Sequence, residues 1–171
     1  MGGGVQRRLV VGAACLATLA LVGPATAASS AVIVPGRAIG PIAIGDERAT
    51  IAARFGDGVV ASRTPDPAHP GNRNLDRVSV RYRALSLVVG FPTDEASSGA
   101  DRLATRNSRY QTARGAGVGS TRAAVRRAHP AAVCDASACR LGRALPGRVV
   151  TRFLLGGGRV VRVDLRRVPV A

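Results

Sequence analysis

The sequence predicts an α+β fold in which short helices pack on an antiparallel sheet. Apolar and polar residues alternate over residues 78–82, as they do in a strand with one exposed face, and residues 149–155 and 160–165 give strand signals on either side of three glycines. Residues 122–129 follow two hydroxyl side chains and precede Pro130, which is typical of a short helix. Because helix signals are few and strand signals are joined by short turns, the helices are expected on one face of an antiparallel sheet.

Residues 1–27 are predicted to be a secretory signal peptide. Arg7 and Arg8 precede an apolar run over residues 9–22, and residues 25–27 read Ala-Thr-Ala, a small-residue cleavage site. The apolar run is about 14 residues long, whereas a membrane span needs roughly 20. We therefore expect cleavage after Ala27, no transmembrane span in the remainder, and a secreted or cell-envelope-associated protein.

An alternative for the leader is lipoprotein processing at Cys15, which follows small residues as that pathway requires. Cleavage there would leave an apolar region of about five residues, shorter than signal peptides use. Removal of the leader leaves residues 28–171, a length that favours one domain.

The first half of that domain predicts one helix followed by strands. Residues 46–55 form the helix, with Asp46 as its N-cap and Gly56 at its end. Residues 57–76 are rich in turn formers and predict a loop or a long hairpin tip, with residues 64–72 as its least regular part. Strands are expected at residues 78–82, 85–91 and 103–105.

The second half predicts the same order. A glycine-rich turn over residues 115–121 leads into the helix of residues 122–129, with Ser120 or Thr121 as the cap. A short hairpin around the cysteines follows. The chain ends in a hairpin of residues 149–155 and 160–165, joined by three glycines that supply the positive φ angles of a tight turn.

Two cysteines remain once Cys15 leaves with the leader. Cys134 and Cys139 flank a four-residue tip, and an exported protein meets an oxidising environment, so a disulfide between them is expected. A metal site would need further ligands, and His69 and His129 do not stand at ligand spacing. Neither a metal nor a cofactor is predicted.

The two halves are similar at a shift of 74 residues. Residues 44–51 and 118–125 share the order apolar, Gly, cap, polar, Arg, Ala, any residue, β-branched. Strand signals follow each copy. Two tandem repeats, residues 40–100 and 114–171, are therefore a hypothesis, weighed against chance matches in a chain rich in Gly, Arg and Ala.

The second copy, residues 119–125, resembles the G-M-T-x-x-x-V helix start of the small lipoprotein of the outer-membrane barrel-assembly machinery. It also resembles the secreted β-lactamase-inhibitor protein, which is similar to two tandem copies of such a unit, and a group of actinobacterial exported proteins with a Pro-ended helix and a cysteine hairpin. Ser120 replaces the usual Met, and Glu47 stands where the first copy should have Thr. The resemblance implies a helix layer on an antiparallel sheet and a role in binding other proteins, without catalytic residues.

The positive charge of the chain comes from arginine alone. There are 25 arginines, no lysine and 10 acidic residues, for a formal net charge of +15, or about +13 without Arg7 and Arg8. GC-rich coding DNA accounts for arginine in place of lysine, whereas the excess of charge favours anionic partners. Candidate anion-binding residues are the glycine-rich helix entry and the terminal basic strand: Gly117, Gly119, Ser120, Thr121, Arg159, Arg162, Arg166 and Arg167. The alternatives are a capped helix entry and a solvated sheet edge.

No catalytic constellation is evident. A nucleophile, base and orienting group are not found in a recognisable pattern, and nucleic-acid motifs and stacking aromatics are scarce. We therefore expect a non-enzymatic exported protein that binds a protein or an anionic envelope polymer through its sheet face, with no specific nucleic acid as partner. The alternative is a small secreted hydrolase using His129 or His69.

Overall fold

The computed structural model describes Met1 and residues 31–170. The predicted signal peptide and its cleavage site after Ala27 lie outside the described residues. Two helices and twelve strands are found in the described part of the chain, which also contains a 3-10 turn at Arg73–Leu75. In chain order they are β1 Val32–Val34, β2 Ala38–Ile39, β3 Ile42–Ala43, α1 Arg48–Phe55, β4 Val59–Thr64, β5 Arg77–Tyr82, β6 Leu87–Phe91, β7 Arg102–Thr105, β8 Gln111–Thr112, α2 Arg122–Ala128, β9 Val133–Cys134, β10 Ala138–Leu141, β11 Val149–Gly156 and β12 Arg159–Arg167.

The strands form one large and one small sheet. The large sheet is antiparallel throughout, in the order β4-β5-β6-β7-β12-β11-β10-β9. Each half of the chain therefore contributes four consecutive strands, and the two halves meet where β7 pairs with β12. The small sheet has the order β3-β2-β1-β8, in which β1 and β8 are parallel. The α+β prediction is confirmed at this level, whereas the tandem repeat stays a prediction.

The core lies between the large sheet and a layer made by the helices and the small sheet. Ile51 of α1 and Val125 of α2 are buried in one cluster with alternate residues of the large sheet. In β5, for example, Val78 and Val80 are inaccessible while Arg81 between Val80 and Tyr82 is exposed. We call the opposite side of the large sheet, which carries the residues that alternate with the core positions, the outer face.

The helix entries differ in their caps. In α2 the Thr121 hydroxyl accepts the amide of Ala124 at 3.1 Å, as predicted for this cap. The prediction that Asp46 caps α1 is wrong. Its carboxylate turns back and accepts the amide of Ala43 at 2.8 Å, so the N-cap position falls to Glu47, whose side chain makes no capping bond.

The prediction of a loop or a long hairpin tip over residues 57–76 holds for residues 65–76, which join the antiparallel strands β4 and β5, and is wrong for residues 59–64 before them. Val59–Thr64 forms β4, which pairs with β5 at the edge of the large sheet, and Arg73–Leu75 forms the 3-10 turn. All six residues of β4 are exposed, so the strand has no buried side that alternation could reveal. Gly58, with φ of +69°, allows the chain to enter this strand close to β5.

The other predicted strands of the large sheet lie close to their predicted bounds, whereas the small sheet was not predicted. The second strand begins at Leu87 rather than residue 85, because a turn over residues 82–86 places Ser86 at φ of +53°. The terminal hairpin of β11 and β12 is confirmed, with Gly157 and Gly158 at positive φ in its turn. No helix of the described residues is both long and apolar enough to cross a membrane.

The predicted cysteine hairpin is present and closed by a disulfide. Cys134 of β9 and Cys139 of β10 are directly opposed, and their sulfur atoms are 2.01 Å apart. At the tip, the Asp135 carboxylate accepts the backbone amides of Ser137 and Ala138 and the Ser137 hydroxyl. These bonds hold the pKa of Asp135 below its usual range. The tip is therefore ordered by a carboxylate and the bridge together.

Candidate anion-binding site

The outer face of the large sheet carries a row of directly paired residues that crosses all eight strands. At a strand spacing of about 4.8 Å, seven steps span roughly 34 Å. Its centre lies where the two halves of the chain meet, and three of its members are arginines. In strand order the row is Val59, Arg81, Val88, Ala104, Asp164, Arg152, Arg140 and Val133.

Asp164 is the acidic centre of this face. Its carboxylate is 1% exposed and accepts Arg102 Nε at 2.8 Å and Arg162 Nη2 at 3.4 Å. The arginine side chains are partly exposed, so their heads cover the carboxylate while remaining accessible to solvent. One carboxylate thus holds two guanidinium groups in place on the surface of the sheet.

The guanidinium groups around Asp164 are crowded. Burial lowers the pKa of Arg162. The positive charges of Arg102 and Arg106 lower this pKa further, whereas the negative charge of Asp164 raises it. Like charges also lie opposite one another on neighbouring strands, since Arg102 of β7 and Arg166 of β12 are directly opposed in the strand register. Such cross-strand pairs are unfavourable. The positive charges therefore repel one another on this part of the outer face, and Asp164 offsets only part of that repulsion.

A groove of about 740 Å³ lies on the outer face beside Asp164. Five arginines surround it, and hydroxyl groups of three serines are available as further hydrogen-bond donors. The arginines are Arg81, Arg83, Arg102, Arg106 and Arg162, and the serines are Ser62, Ser79 and Ser86. Always-charged, fork-shaped donors in a concave surface suit phosphate or carboxylate groups.

A second, smaller cleft of about 260 Å³ lies on the other side of Arg102. It contains Arg77, Arg102 and Arg166 together with Asp101. Arg77 pairs with one carboxylate oxygen of Asp101, and the other oxygen, Oδ1, is buried without a partner. This cleft is therefore less positive than the large groove, although both share Arg102.

The glycine-rich entry to α2 is occupied by its own hydrogen bonds. The Gly117 amide donates to the Ser120 hydroxyl at 3.1 Å, and the Gly119 amide donates to the Val160 carbonyl at 2.8 Å. Ser120 donates its amide to the Gly117 carbonyl, and the Thr121 hydroxyl caps α2. These four predicted anion-binding residues thus form a helix entry whose donors serve the fold.

Two of the four predicted arginines of β12 lie on the outer face, and the other two lie elsewhere. Arg162 lines the large groove and Arg166 the smaller cleft. Arg159 donates to the Gly119 carbonyl at 2.9 Å and so fastens the entry of α2. Arg167 is exposed, and by alternation its side chain lies on the opposite side of the sheet from Arg166. The structure brings Arg162 and Arg166 together on the outer face and leaves Arg159 and Arg167 away from it.

The two histidines have separate structural partners. His129 Nε2 lies 3.0 Å from the Thr112 hydroxyl, and its ring stacks on Phe153. Burial, and then the charge of Arg114, lower its pKa. His69 is exposed and contacts the Asp66 carboxylate at 3.0 Å. Neither histidine lines the groove or the smaller cleft.

Four groove arginines were not predicted as site residues: Arg81, Arg83, Arg102 and Arg106. They belong to the β5–β6 hairpin and to β7 or its end, distant in sequence from β12. The usable signal was spacing, because Arg81 and Arg83, like Arg102 and Arg106, are separated by even numbers of residues and so tend to one face of a strand.

Comparison with known proteins adds no relative: no protein-family model, curated protein or solved structure matches the chain. Among the residues that the structure describes, no group of three or more potential metal ligands is found.

Proposed function

We propose that this is a non-enzymatic binding protein that acts at or outside the cell envelope and holds an anionic partner, a protein or an envelope polymer, against its outer face. The observation that supports this most is the groove beside Asp164, where five guanidinium groups converge. The buried carboxylate of Asp164 pairs with two of them, Arg102 and Arg162, so the surplus of positive charge is available to a ligand.

The proposed location rests on the leader of residues 1–27, with its arginines, apolar run and small-residue cleavage site. The disulfide between Cys134 and Cys139 is consistent with it, because such bridges persist in oxidising compartments. In that environment, a strongly basic surface would meet anionic polymers and proteins of the envelope.

We further propose that residues 40–100 and 114–171 are two copies of one unit, of the kind implied by the resemblance to the β-lactamase-inhibitor protein. Local hydrogen bonds support this. Gly45 and Gly119, 74 residues apart, each donate an amide at 2.8 Å to a carbonyl near the start of the last strand of their half, that of Ala100 or Val160. Their φ values, +99° and +92°, are also alike.

A second pair of bonds supports the same relation. Asp46 and Ser120 occupy equivalent positions, and each side chain accepts the backbone amide three residues earlier, from Ala43 at 2.8 Å and from Gly117 at 3.1 Å. The two units then meet at β7 and β12 around the facing pair Ala104 and Asp164. The arginine groove lies at this junction, so partner binding would use both units together.

The function is tested by capture from envelope fractions. The full chain is immobilised and compared with the double variant Arg81→Gln/Arg106→Gln, whose side chains line the groove and make no bond to Asp164. The matched control is Arg126→Gln/Arg127→Gln on the exposed side of α2, which loses the same charge. We expect the groove variant to lose most of the captured material at low salt and the control to keep it.

Equal capture by both double variants would show that charge, and not the groove, recruits the partner, and would overturn the proposal. Capture that decreases steeply with salt indicates a polyanion, whereas salt-resistant capture of one protein indicates a specific protein interface. Both outcomes agree with the proposed function, provided that the loss follows the groove residues.

A further inference from the structure

We infer that the partner is a linear phosphodiester polymer that lies along β7 and β12 and bridges two arginine subsites. This inference rests on the proposed function and narrows its partner to one chemical class. It is carried by the arginines at two levels of the outer face, by the distance between those levels and by the absence of aromatic side chains around them in the described part of this face.

The subsites lie on either side of Asp164. Subsite 1 is the cross-strand pair Arg102 and Arg166, which share the smaller cleft. Subsite 2 is Arg106 and Arg162, which share the large groove and influence each other electrostatically. Arg102 and Arg106 are four residues apart along an extended chain, as are Arg162 and Arg166, so the two levels are separated by about 13 Å.

Paired guanidinium groups from neighbouring strands favour phosphate over carboxylate. A carboxylate presents its two oxygens in one plane and is satisfied by one bidentate guanidinium. A tetrahedral phosphate presents oxygens in several directions and can accept forks from two arginines that approach from different strands. A phosphodiester also stays ionised throughout the physiological pH range, so binding would not need a proton.

Aromatic side chains are absent from the outer face, as far as the structure describes it. All five aromatic side chains of the described residues belong to the core or pack against it. Stacking of nucleobases and the central aromatic anchors of a protein interface are therefore absent from the part of this face that the structure describes. Most of the residues that line the groove and the smaller cleft are charged or carry a hydroxyl group, which is the chemistry of phosphate contacts along a flexible backbone.

The two subsites should differ in strength. Subsite 1 contains Asp101 beside its arginines, whereas the large groove adds Arg81 and Arg83 to subsite 2. A phosphate at subsite 1 would experience repulsion from the Asp101 carboxylate. Loss of an arginine from subsite 2 should therefore weaken binding more than loss of one from subsite 1.

The test uses inorganic polyphosphate as a base-free linear phosphate polymer and measures its affinity for the full chain by calorimetry at low salt. Tripolyphosphate, which is too short to bridge the subsites, is the length control. Poly-glutamate supplies carboxylates on a linear chain. With affinities expressed per binding position, we expect long-chain polyphosphate to bind at least tenfold more tightly than tripolyphosphate, because the second subsite is then filled intramolecularly.

Two single variants test the subsites, with Arg127→Gln as the control of equal charge. We expect Arg106→Gln to weaken long-chain binding at least fivefold and Arg166→Gln to weaken it less. Each should also reduce the slope of log affinity against log salt by about 0.7, the value for one phosphate contact on a single strand. The control should change the affinity by less than twofold.

Equal affinity for the short and long chains would overturn bridging, and equal effects of all three variants would overturn the assignment of the subsites. Poly-glutamate binding as tightly as polyphosphate would overturn the preference for phosphate. If polyphosphate does not bind while envelope capture still depends on Arg81 and Arg106 and yields one protein, the polymer inference is overturned and the proposed function stands.

Discussion

Replacement of Asp164 by asparagine should destabilise the protein and make it more sensitive to salt. The carboxylate is inaccessible and is the acceptor shared by Arg102 and Arg162. Asparagine keeps the size and one carbonyl oxygen but removes the charge. The guanidinium groups of Arg102, Arg106 and Arg162 would then repel one another without a carboxylate between them.

The magnitude follows from the geometry. A hydrogen bond to a charged group contributes about 1.5–3 kcal/mol. The Arg102 bond at 2.8 Å is the stronger one, whereas the Arg162 contact at 3.4 Å is longer. Because the two arginine side chains are 42% and 26% exposed, solvent screens part of the interaction. We therefore expect Asp164→Asn to lower the free energy of unfolding by about 2 kcal/mol at low salt.

The assay is urea unfolding at low ionic strength and again at about 1 M salt, where the Debye length is near 3 Å. A change in midpoint with an unchanged slope would report a change in stability. The deficit should be smaller at high salt, since repulsion among the uncovered guanidinium groups is screened. Asp57→Asn, at an exposed position next to α1, is the control and should change stability by less than about 0.5 kcal/mol. A deficit for Asp164→Asn no larger than that of the control would refute the assignment of Asp164 as the organising charge.

Three further predictions concern the disulfide, the half-buried imidazole of His129 and the close backbone approach at Gly58. Replacing Cys134 and Cys139 by serine should cost about 2 kcal/mol, as expected for so small a loop, and lower the melting temperature by about 5–10 °C in calorimetry. Because folding lowers the pKa of His129, the unfolded chain binds a proton more readily than the folded chain. The free energy of unfolding should therefore decrease as the pH falls below about 6.5. His129→Gln should reduce this pH dependence, measured as the midpoint of urea unfolding. Gly58→Ala should destabilise by about 2–4 kcal/mol, because the added methyl would approach the Val80 side chain of β5 at 2.6 Å. Gly157→Ala, with open space and φ of +58°, should cost about 1–2 kcal/mol in the same measurement.

The strands that could be predicted are those whose alternation matches their burial. In β5 the apolar positions Val78, Val80 and Tyr82 are the buried ones, so the pattern in the sequence is the pattern in the fold. In β12 the match is looser, because the apolar Val161 is exposed and the acidic Asp164 is buried. The edge strand β4 has no buried side, and its flanking prolines and glycines favour the interpretation as a loop. The strands of the small sheet are two or three residues long, which is too short for any periodicity to appear.

The site was partly predictable for a related reason. Arg162 and Arg166 stand in a locally dense basic segment and could be selected from the sequence. For Arg81 and Arg102 the even spacing to a neighbouring arginine indicates a shared face, but not that this face meets Arg162. That depends on the register of three successive strand pairs, which local patterns do not specify. Conversely, Arg167 belongs to the same basic segment but lies on the other face of the sheet, because successive side chains of a strand point to opposite faces.

The facing pair at the junction gives the proposed two-unit organisation a physical test within the sequence itself. If the units are related by a two-fold rotation, Ala104 and Asp164 are equivalent positions that pair with each other, so their side chains are neighbours. Two carboxylates there would repel each other, and two alanines would leave the surrounding arginines without an anion. One acidic and one small residue is the combination that avoids both penalties. Under the proposed organisation the two copies therefore differ at this position, and Asp164 supplies one charge at the centre of the outer face, beside arginines of both halves of the chain.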